Sequence, residues 1–317
     1  MKVVVTGGRG MLGSALVRAW ERAHPDDEVH AVTRDDADLR DRTATRRLFE
    51  RISPDLVLHA AAKVGGISAN VASPTEFLAD NLALDTSVLE TARELGVRDL
   101  IYFGSSCMYP RDYRQPLVET DVLQAPLEPT NEGYALAKIT GAKYCEYASR
   151  QYGLNYRVVI PSNLYGPNDH YGSEASHLVA ATIWKAHVAR ETGADHLDVW
   201  GDGTARREFT YVEDVAEWVA RAAHGLADWP PLLNVGLGRD HSIREFYEFA
   251  LETVGYECEL SFDPSKPAGM HQKLMDSSLA ASFGWAPPTD IRTGMAAAYA
   301  AFLGSATTPD HRTETAQ

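Results

Sequence analysis

The apolar residues of the chain follow two alternating periodicities. Short apolar, β-branched runs predict strands, and stretches with apolar residues three or four positions apart predict the helices between them. The predicted strands are 2–6, 29–33, 56–60, 100–103 and 156–160, and the clearest helices are 11–22, 81–95 and 133–152. Strands that alternate with helices are typical of a parallel sheet covered by helices on both faces.

Three glycines, Gly7, Gly10 and Gly13, follow the first predicted strand and open the first predicted helix. Gly7 and Gly10 permit a tight turn and a close approach to a ligand, and Gly13 permits close packing of the helix on the sheet. The helix N-terminus offers free N–H groups to an anion. In this context the spacing predicts a site for the pyrophosphate of a dinucleotide.

The periodicity becomes less regular after residue 165, where we expect the substrate region. We predict a Rossmann-type doubly wound parallel sheet with a smaller, interleaved α/β substrate-binding domain. The segment 110–130 is polar and rich in proline, which predicts a functional loop. The predicted boundaries are 1–165 for the cofactor domain, returning at about 206–236, then 166–205 and 237–304 for the substrate domain, and 305–317 for a disordered tail.

The composition narrows the possible partners. The chain has 317 residues and a formal charge of -14, which argues against a nucleic-acid binder because such proteins need a basic surface. No apolar run approaches the roughly 20 residues that cross a bilayer, and no signal-peptide pattern is present, so we expect a cytoplasmic protein without a membrane partner. Cys107, Cys145 and Cys258 are scattered, which predicts neither disulfides nor a metal site.

The end of the second predicted strand bears on the choice of cofactor. An acid there binds a ribose hydroxyl, whereas an arginine favours a 2′-phosphate. We expect Arg9 and Arg34 to converge on that phosphate and to favour NADP(H), although Asp35 and Asp36 lie beside them; a solvated Arg34 is the alternative. The further expected contacts of the dinucleotide are Met11, Asp38, Leu39 and Ala61.

Three residues predict chemistry at a carbonyl group. Tyr134 and Lys138 are four positions apart on a predicted helix and share a face. An ammonium beside a phenol favours the phenolate, so we expect a lowered pKa for Tyr134. Ser105 follows a predicted strand at the sheet edge where ligands bind, and it would hold the carbonyl oxygen.

Two further residues are candidates for moving protons at carbon. Cys107 lies two positions after Ser105, and in an extended chain the two side chains point the same way. A thiol there would remove a proton alpha to a ketone, and a buried structural cysteine is the alternative. His177 opens a predicted helix, whose N-terminus lowers an imidazole pKa, so it is a candidate for the matching acid.

A third group of residues suits a nucleotide. Trp200 would stack on a base or pack against a hexose, and Arg207 would grip a diphosphate with two hydrogen bonds. Lys185 and Lys273 are further candidate phosphate partners, and a solvated cation is the alternative for each.

The chain resembles the extended short-chain dehydrogenase/reductases and, within them, the GDP-L-fucose synthases. The motifs that carry the resemblance are GGRGMLGSA, GSSCMYP, NEGYALAK, IPSNLYGPNDHY and VWGDGTARREF. The resemblance implies NADPH-dependent 3,5-epimerisation and 4-reduction of GDP-4-keto-6-deoxy-D-mannose by a homodimer that pairs helices 81–95 and 133–152. Lys185 stands where an arginine is more usual in this family.

The resemblance also implies roles for individual residues. Ser105, Tyr134 and Lys138 match the reductase triad, and Cys107 and His177 match the epimerisation base and acid. Tyr134, Lys138 and His177 are further expected to contact the cofactor. The expected contacts to the GDP-linked keto-sugar are Asn163, Lys185, Trp200, Arg207 and Lys273.

Three alternatives remain open from the sequence. The same chemistry would suit a related GDP-keto-sugar, such as a 4-keto-3,6-dideoxy-hexose or a 6-deoxy-heptose. A nucleotide-sugar 4-epimerase or dehydratase that retains its NAD shares the fold, although Arg34 argues against it. A binding protein that uses the fold without catalysis is the third alternative, and the intact Ser105, Tyr134 and Lys138 argue against it.

Overall fold

Strands and helices alternate along the chain, and the computed structural model describes residues 1–172, 176–266 and 270–306. These residues form twelve strands and ten α-helices. The strands are β1 (Lys2–Thr6), β2 (Glu28–Val32), β3 (Leu56–His59), β4 (Asp99–Phe103), β5 (Asn155–Pro161), β6 (Asn163–Tyr165), β7 (His196–Trp200), β8 (Arg206–Tyr211), β9 (Leu232–Val235), β10 (Asp240–Ser242), β11 (Glu259–Asp263) and β12 (Gln272–Lys273). The helices are α1 (Met11–Ala23), α2 (Arg42–Ile52), α3 (Ile67–Ala72), α4 (Pro74–Glu94), α5 (Glu132–Tyr152), α6 (Leu178–Thr192), α7 (Val212–Ala222), α8 (Ile243–Val254), α9 (Ser278–Ala281) and α10 (Ile291–Ala306).

Six parallel strands form the main sheet, in the order β2-β1-β3-β4-β5-β9. The chain runs outward from β1 to β2 and then crosses back to β3, so the strand order reverses between β1 and β3. In open sheets of this kind, ligands bind at the carboxyl ends of the strands at such a reversal. The predicted Rossmann-type doubly wound sheet is confirmed, and it places the glycine turn after β1 at this edge.

Successive residues of the strands pack on opposite faces of the main sheet. Val3 and Val5 of β1 belong to a core with α1 and α7, whereas Val4 belongs to a core with α2, α4 and α5. The strands are buried on both sides, which explains their nearly continuous apolar runs. The two cores, one on each face of the sheet, hold the ends of the strands in fixed positions.

The second half of the chain adds a smaller layer beside the main sheet. Strands β10, β8 and β12 form a sheet that β6 joins through β8, while β7 and β11 form a parallel pair. Helices α6, α8 and α10 cover these strands and share a third apolar core. Within the described ranges, no helix is long and apolar enough to cross a bilayer.

The structure differs from the expected boundaries in two places. The cofactor domain is expected to return at about residue 206, but β8 lies in the second sheet, and only α7 and β9 pack with the first. The reason is that Arg206, Arg207 and Glu208 are too polar for a strand buried on both faces. Helix α10 continues to Ala306 and so enters the predicted tail, of which 307–317 lie outside the described residues.

A buried carboxylate joins the two sheets. Glu208 of β8 is 1% exposed, and its Oε1 accepts a 2.7 Å hydrogen bond from the N–H of Gly238, after β9. Its Oε2 accepts a 2.9 Å bond from the N–H of Met275, after β12. Burial raises the pKa of Glu208 from 4.5 to about 7, although these bonds oppose the shift. Glu208 therefore fixes two loops to β8. Because its pKa is raised, the stability of the fold depends on pH.

The raised pKa of Glu208 predicts a fall in stability with rising pH. Between pH 4.5 and about 7 the unfolded chain loses the proton while the folded chain retains it, so the unfolding free energy decreases. Over this interval the titration of Glu208 lowers the unfolding free energy by about 3 kcal/mol. Denaturant titrations of the wild type and Glu208→Gln across this interval should therefore differ in slope, with the variant flatter. Parallel pH profiles would contradict the assignment.

Candidate active site

The glycine turn after β1 forms a cradle at the reversal of strand order. Gly7 has a φ of +72°, and a Cβ there would lie 2.9 Å from the Cα of Ala61, which follows β3. A Cβ on Gly13 would overlap the carbonyl oxygen of Gly7. Gly10 is the N-cap of α1 and has no side chain to occupy the N–H groups of the first turn. This cradle fits the pyrophosphate of a dinucleotide.

Acidic and basic side chains are paired at the end of β2. Arg9 forms an ion pair with Asp35 in the structure, so the predicted convergence of Arg9 and Arg34 is not among the described contacts. Asp36 turns back and accepts two 2.9 Å hydrogen bonds from Thr33, so its carboxylate is already occupied. Arg34 is exposed at this end of the strand. A ligand phosphate would therefore have to draw Arg9 away from Asp35.

The other predicted cofactor residues lie around the same edge. Asp38 is held by Arg40, whose hydrogen bonds lower the pKa of that carboxyl to about 2. Leu39 is buried in the core below it, and Met11 opens α1. The N–H of Ala61 donates a 3.0 Å hydrogen bond to the hydroxyl of Thr6, which fixes the end of β3 against the end of β1.

Ser105 and Tyr134 meet beyond the end of β4. Ser105 caps a short 3₁₀ turn, Ser106–Met108, and Tyr134 lies in the first turn of α5. Burial raises the pKa of Tyr134 well above its usual value, and the nearby Cys107 and Asp85 raise it further, whereas a hydrogen bond with Ser105 lowers it. The predicted lowering of this pKa is therefore wrong. The phenol keeps its proton and is suited to donate it.

Lys138 faces a buried carboxylate, which explains why it does not lower the pKa of Tyr134. Its Nζ lies 3.9 Å from Oδ2 of Asp85 and 4.5 Å from the ring centroid of Tyr102. Burial lowers the pKa of Lys138, and Asp85 opposes this. Burial alone would raise the pKa of Asp85, but Lys138, together with hydrogen bonds from His59 and Tyr102, holds it below its usual value.

A chain of hydrogen bonds runs from Asp85 to the glycine turn. Asp85 accepts from Tyr102 Oη at 2.5 Å and contacts His59 Nε2 at 3.1 Å. The other ring nitrogen, Nδ1, lies 2.7 Å from the hydroxyl of Thr6. Because the carboxylate only accepts, Nε2 carries the proton and Nδ1 accepts from Thr6. Burial lowers the pKa of His59, so the ring is neutral.

Cys107 lies beside Ser105 and Tyr134, in the middle of the 3₁₀ turn. The chain is not extended here, so the alternation on which its orientation was predicted does not apply. The N–H of Cys107 donates to the hydroxyl of Ser105 at 3.2 Å, and its Sγ accepts a 3.1 Å hydrogen bond from Nδ2 of Asn131. The thiol is partly exposed, and it interacts electrostatically with Tyr134. The structure thus brings Ser105, Cys107 and Tyr134 together.

His177 is the N-cap residue of α6. Its pKa is lowered, as expected, but the causes are burial and then the nearby His170. In the described part of the chain no hydrogen bond joins its ring to Ser105, Cys107 or Tyr134.

Three of the predicted substrate residues lie on one sheet. Arg207 of β8 is opposite Lys273 of β12, and Asn163 of β6 donates a 3.1 Å hydrogen bond to the carbonyl of Glu208. Arg207 also interacts electrostatically with Glu128, three residues before Asn131. Two adjacent, largely buried cations suit an anionic ligand, and the contact with Glu128 places them near the turn that holds Cys107.

The other two predicted substrate residues lie near β7. Lys185 donates 3.0 Å hydrogen bonds to the carbonyl of Asp198 and to the hydroxyl of Tyr247. Trp200 is 52% exposed at the end of β7, with the ammonium of Lys266 5.9 Å from its ring centroid. The exposed indole is available for stacking, whereas Lys185 is engaged by the protein. The described contacts do not join these two residues to Arg207.

Asp85, His59 and Asn131 are site residues that the sequence reasoning did not identify. Asp85 lies on the buried face of α4, where an acidic residue among apolar ones was an available signal. Asn131 ends the loop predicted over 110–130, and no periodicity distinguishes it there. No cluster suited to hold a metal ion exists in the described residues.

Comparison with known proteins gives consistent matches. A model of the NAD dependent epimerase/dehydratase family matches residues 3–236. The GDP-L-fucose synthase of Azorhizobium caulinodans is 41% identical over 302 residues, which cover 95% of this chain and 96% of that protein. The GDP-L-colitose synthase of Yersinia pseudotuberculosis is 39% identical over 304 residues, which cover 96% and 98%.

A solved structure superposes over nearly the whole chain. It is MlghC, a GDP-mannoheptose C4 reductase from Campylobacter jejuni with NADP bound. The TM-score is 0.85 at 29% sequence identity, and the match covers 95% of this chain and 98% of that one.

The buried pair of Asp85 and Lys138 predicts a strong effect of Asp85→Asn on stability. The change leaves the ammonium of Lys138 buried without its counter-charge, so near pH 7 the unfolding free energy should fall by about 3–5 kcal/mol. The loss should shrink as the pH rises and Lys138, whose pKa is lowered by burial, gives up its proton. Guanidinium chloride titrations near pH 7 and at alkaline pH measure both effects.

Asp80→Asn is the matched control, because Asp80 lies on the same helix and pairs with Lys63 and Arg40 in contact with solvent. It should change stability little. Equal effects of the two substitutions would show that Asp85 and Lys138 do not act as a buried pair.

Proposed function

Since the chain belongs to the NAD dependent epimerase/dehydratase family, we propose that it converts GDP-4-keto-6-deoxy-D-mannose into GDP-L-fucose by 3,5-epimerisation and NADPH-dependent 4-reduction. The resemblance to the GDP-L-fucose synthases inferred from the sequence is confirmed. The single observation that carries the proposal is the thiol of Cys107 beside Ser105 and Tyr134. A reductase alone needs only the last two, and a thiol adds a base for carbon.

The residues at the sheet edge fit NADPH. The turn from Gly7 to Gly13 would hold the pyrophosphate, and Arg34, with Arg9 released from Asp35, would hold the 2′-phosphate. Leu39 and Asp38 would border the adenine, and Ala61 the nicotinamide half. When bound, NADPH supplies the hydride that reduces carbon 4. The NADP in the related C4 reductase structure supports the choice of cofactor.

Epimerisation requires a base and an acid beside the ketone. The 4-keto group acidifies the protons on carbons 3 and 5. Cys107, as thiolate, takes one of these protons, and Ser105 and Tyr134 donate hydrogen bonds to the enolate oxygen. His177 returns a proton to the opposite face of the carbon, which inverts it. The exchange leaves no net change in oxidation state.

Reduction uses the same oxygen-binding pair. As carbon 4 accepts the hydride, Tyr134 transfers its proton to the developing alkoxide; burial raises the pKa of the phenol and so keeps it protonated for this step. Lys138 supplies the positive charge that stabilises the phenolate left behind. Asp85 holds the ammonium of Lys138 in place.

The second sheet offers a site for the GDP moiety. Arg207 and Lys273 would bind the diphosphate, Asn163 would bind the sugar, and Trp200 would stack on the base. Lys185 would need to leave Tyr247 to reach a phosphate. We place the nucleotide-sugar half in residues 166–211 and 237–304 and the cofactor half in residues 1–165 with α7 and β9.

A homodimer in the cytoplasm is part of the proposal. Helices α4 and α5 pack side by side, and α5 exposes Leu136, Tyr147 and Tyr152. This apolar surface suits the same helices of a second copy. Cys107, Cys145 and Cys258 are unpaired, which fits a reducing compartment.

A GDP-4-keto-3,6-dideoxy-hexose is the second candidate substrate. The observation that favours it is the 39% identity to a GDP-L-colitose synthase over 96% of this chain. That sugar has no hydroxyl at carbon 3, so only carbon 5 would be inverted. Comparison of kcat/KM for the two GDP-keto-sugars separates the candidates, and the proposal requires the 6-deoxy-mannose derivative to be the better substrate.

Cys107→Ser tests the division of roles at the ketone. A hydroxyl is a far weaker base than a thiolate, so deuterium uptake from heavy water at carbons 3 and 5 should fall at least about a hundredfold. Direct reduction at carbon 4 should persist, because Ser105, Tyr134 and Lys138 are intact. NMR of the products together with NADPH absorbance measures both.

Tyr134→Phe is the matched control, since it removes the proton donor for reduction and leaves the thiol. It should lose most of the reduction, whereas deuterium exchange should fall much less, because Cys107 remains and Ser105 still donates to the enolate oxygen. Equal loss of exchange and reduction in both variants would contradict separate roles for Cys107 and Tyr134.

Arg34→Ala tests the choice of cofactor. Loss of one charge-assisted contact to the 2′-phosphate should raise KM for NADPH about tenfold and leave KM for NADH unchanged. Arg40→Ala is the control, because Arg40 is held by Asp38 and Asp80. Equal changes for the two cofactors, or NAD released from the denatured protein, would favour an NAD-retaining 4-epimerase instead.

A further inference from the structure

Asn131 stands at the N-cap position of α5, but its side chain makes no capping hydrogen bond. It is the N-cap residue of α5, and no hydrogen bond from its side chain to the helix is present. Asparagine is among the preferred residues at this position because its oxygen usually accepts from the N–H groups of the first turn. Here the side chain instead donates from Nδ2 to Sγ of Cys107, over 3.1 Å.

The preceding turn fixes Asn131 in this orientation. The N–H of Asn131 donates to the carbonyl of Glu128 at 3.2 Å. The side chain of Glu128 accepts from the N–H and the hydroxyl of Thr130, at 3.3 and 3.0 Å. Glu128 is itself buried, so the turn 128–131 is held from inside the protein. The amide is therefore presented to the sulfur by a rigid backbone.

While the amide nitrogen of Asn131 contacts the sulfur, the amide oxygen is left without a hydrogen bond among the described residues. Oδ1 of Asn131 is buried and has no hydrogen-bond partner among the described residues. Buried polar atoms are nearly always paired, and an exception calls for an explanation. A side chain that caps no helix and leaves its oxygen unpaired is not placed for stability, and the donor contact to sulfur is what its position provides.

We propose that Asn131 is the positioning residue of Cys107: its amide N–H stabilises the thiolate and holds the sulfur beside the ketone of the substrate. A thiolate only accepts hydrogen bonds, and a bond from a neutral donor to an anion is stronger than one to the neutral thiol. The N–H therefore favours the basic form of the cysteine. The inference rests on the proposed function, which requires this thiol as the base for carbons 3 and 5.

The other groups described beside Cys107 carry no positive charge. They are Ser105, whose hydroxyl accepts from the N–H of Cys107, and the phenol of Tyr134, which keeps its proton. On the neighbouring turn, Glu128 lies 3.5 Å from the guanidinium of Arg111. The described contacts of Sγ include no cation, so the amide and the N-terminus of α5 are the features that favour a negative charge there.

The test compares Asn131→Asp and Asn131→Ser. Both residues are good helix caps, so α5 should be as stable as before or more so. Serine removes the donor from the sulfur, and aspartate places a negative charge beside it. Both variants should slow the reaction of the Cys107 thiol with an alkylating agent, aspartate more than serine. The variants are made with Cys258→Ser, and Cys145 is buried, so Cys107 is the thiol that reacts.

The direct readout is the rate of alkylation by iodoacetamide as a function of pH. A thiol pKa raised by one unit slows alkylation near pH 7 about tenfold, because only the thiolate reacts. Thr140→Ala, which alters the exposed side of α5 without touching the sulfur or the turn 128–131, is the matched control and should leave the profile in place. Melting temperatures establish that each variant is folded.

Two activities separate the inference from the proposed function. Deuterium uptake at carbons 3 and 5 of the keto-sugar should fall in step with thiol reactivity. Single-turnover oxidation of GDP-L-fucose by NADP should be unchanged, because it needs no base at carbon. Unchanged alkylation profiles in folded Asn131→Asp and Asn131→Ser overturn the inference. A shifted profile with no wild-type turnover of the keto-sugar sustains it and overturns the proposed substrate.

Discussion

The buried charge pair between Asp85 and Lys138 is the constraint on which the rest of the site depends. It lies between α4, α5 and the ends of β3 and β4, where water is excluded and neither charge is tolerated alone. Asp85 is satisfied from three directions, by a lysine, a tyrosine and a neutral histidine. Because that histidine is in turn held by Thr6, the charge pair is continuous with the glycine turn. One network therefore connects α5 with the end of β1, where the glycine turn begins.

The arrangement explains how one ketone can be both deprotonated beside its carbon and reduced. A thiol, a serine hydroxyl and a phenol converge beyond β4, and the turn 128–131 connects them to Arg207 in the second sheet. In the proposed order, Cys107 first removes a proton from the carbon beside the ketone. After hydride transfer to carbon 4, Tyr134 protonates the oxygen on that carbon. No large movement of these side chains is required between the two steps, since the same hydroxyl pair binds the oxygen in both.

Much of the fold could be predicted from the sequence because its signals are local. The strand runs, the glycine spacing and the helix that carries Tyr134 and Lys138 need only neighbouring residues to be recognised. Helix α4 begins at Pro74, well before the predicted position 81, because the proline occupies its first turn, where a missing N–H costs nothing. The pKa of Tyr134, the role of Asp85 and the contact of Asn131 with Cys107 depend on residues distant in sequence. Burial and these long-range contacts decide their properties, and no local pattern reports them.

The most direct test of the central claim is a crystal structure with NADP and GDP-L-fucose bound. The account predicts that Ser105 and Tyr134 both hydrogen-bond the oxygen on carbon 4, with the nicotinamide facing that carbon. It also predicts that Sγ of Cys107 approaches carbon 3 or carbon 5 to about 3–3.5 Å, the separation of reacting atoms. A sugar bound with its ring turned away from the sulfur, while Tyr134 still contacts the oxygen, would leave an ordinary ketoreductase and contradict the account.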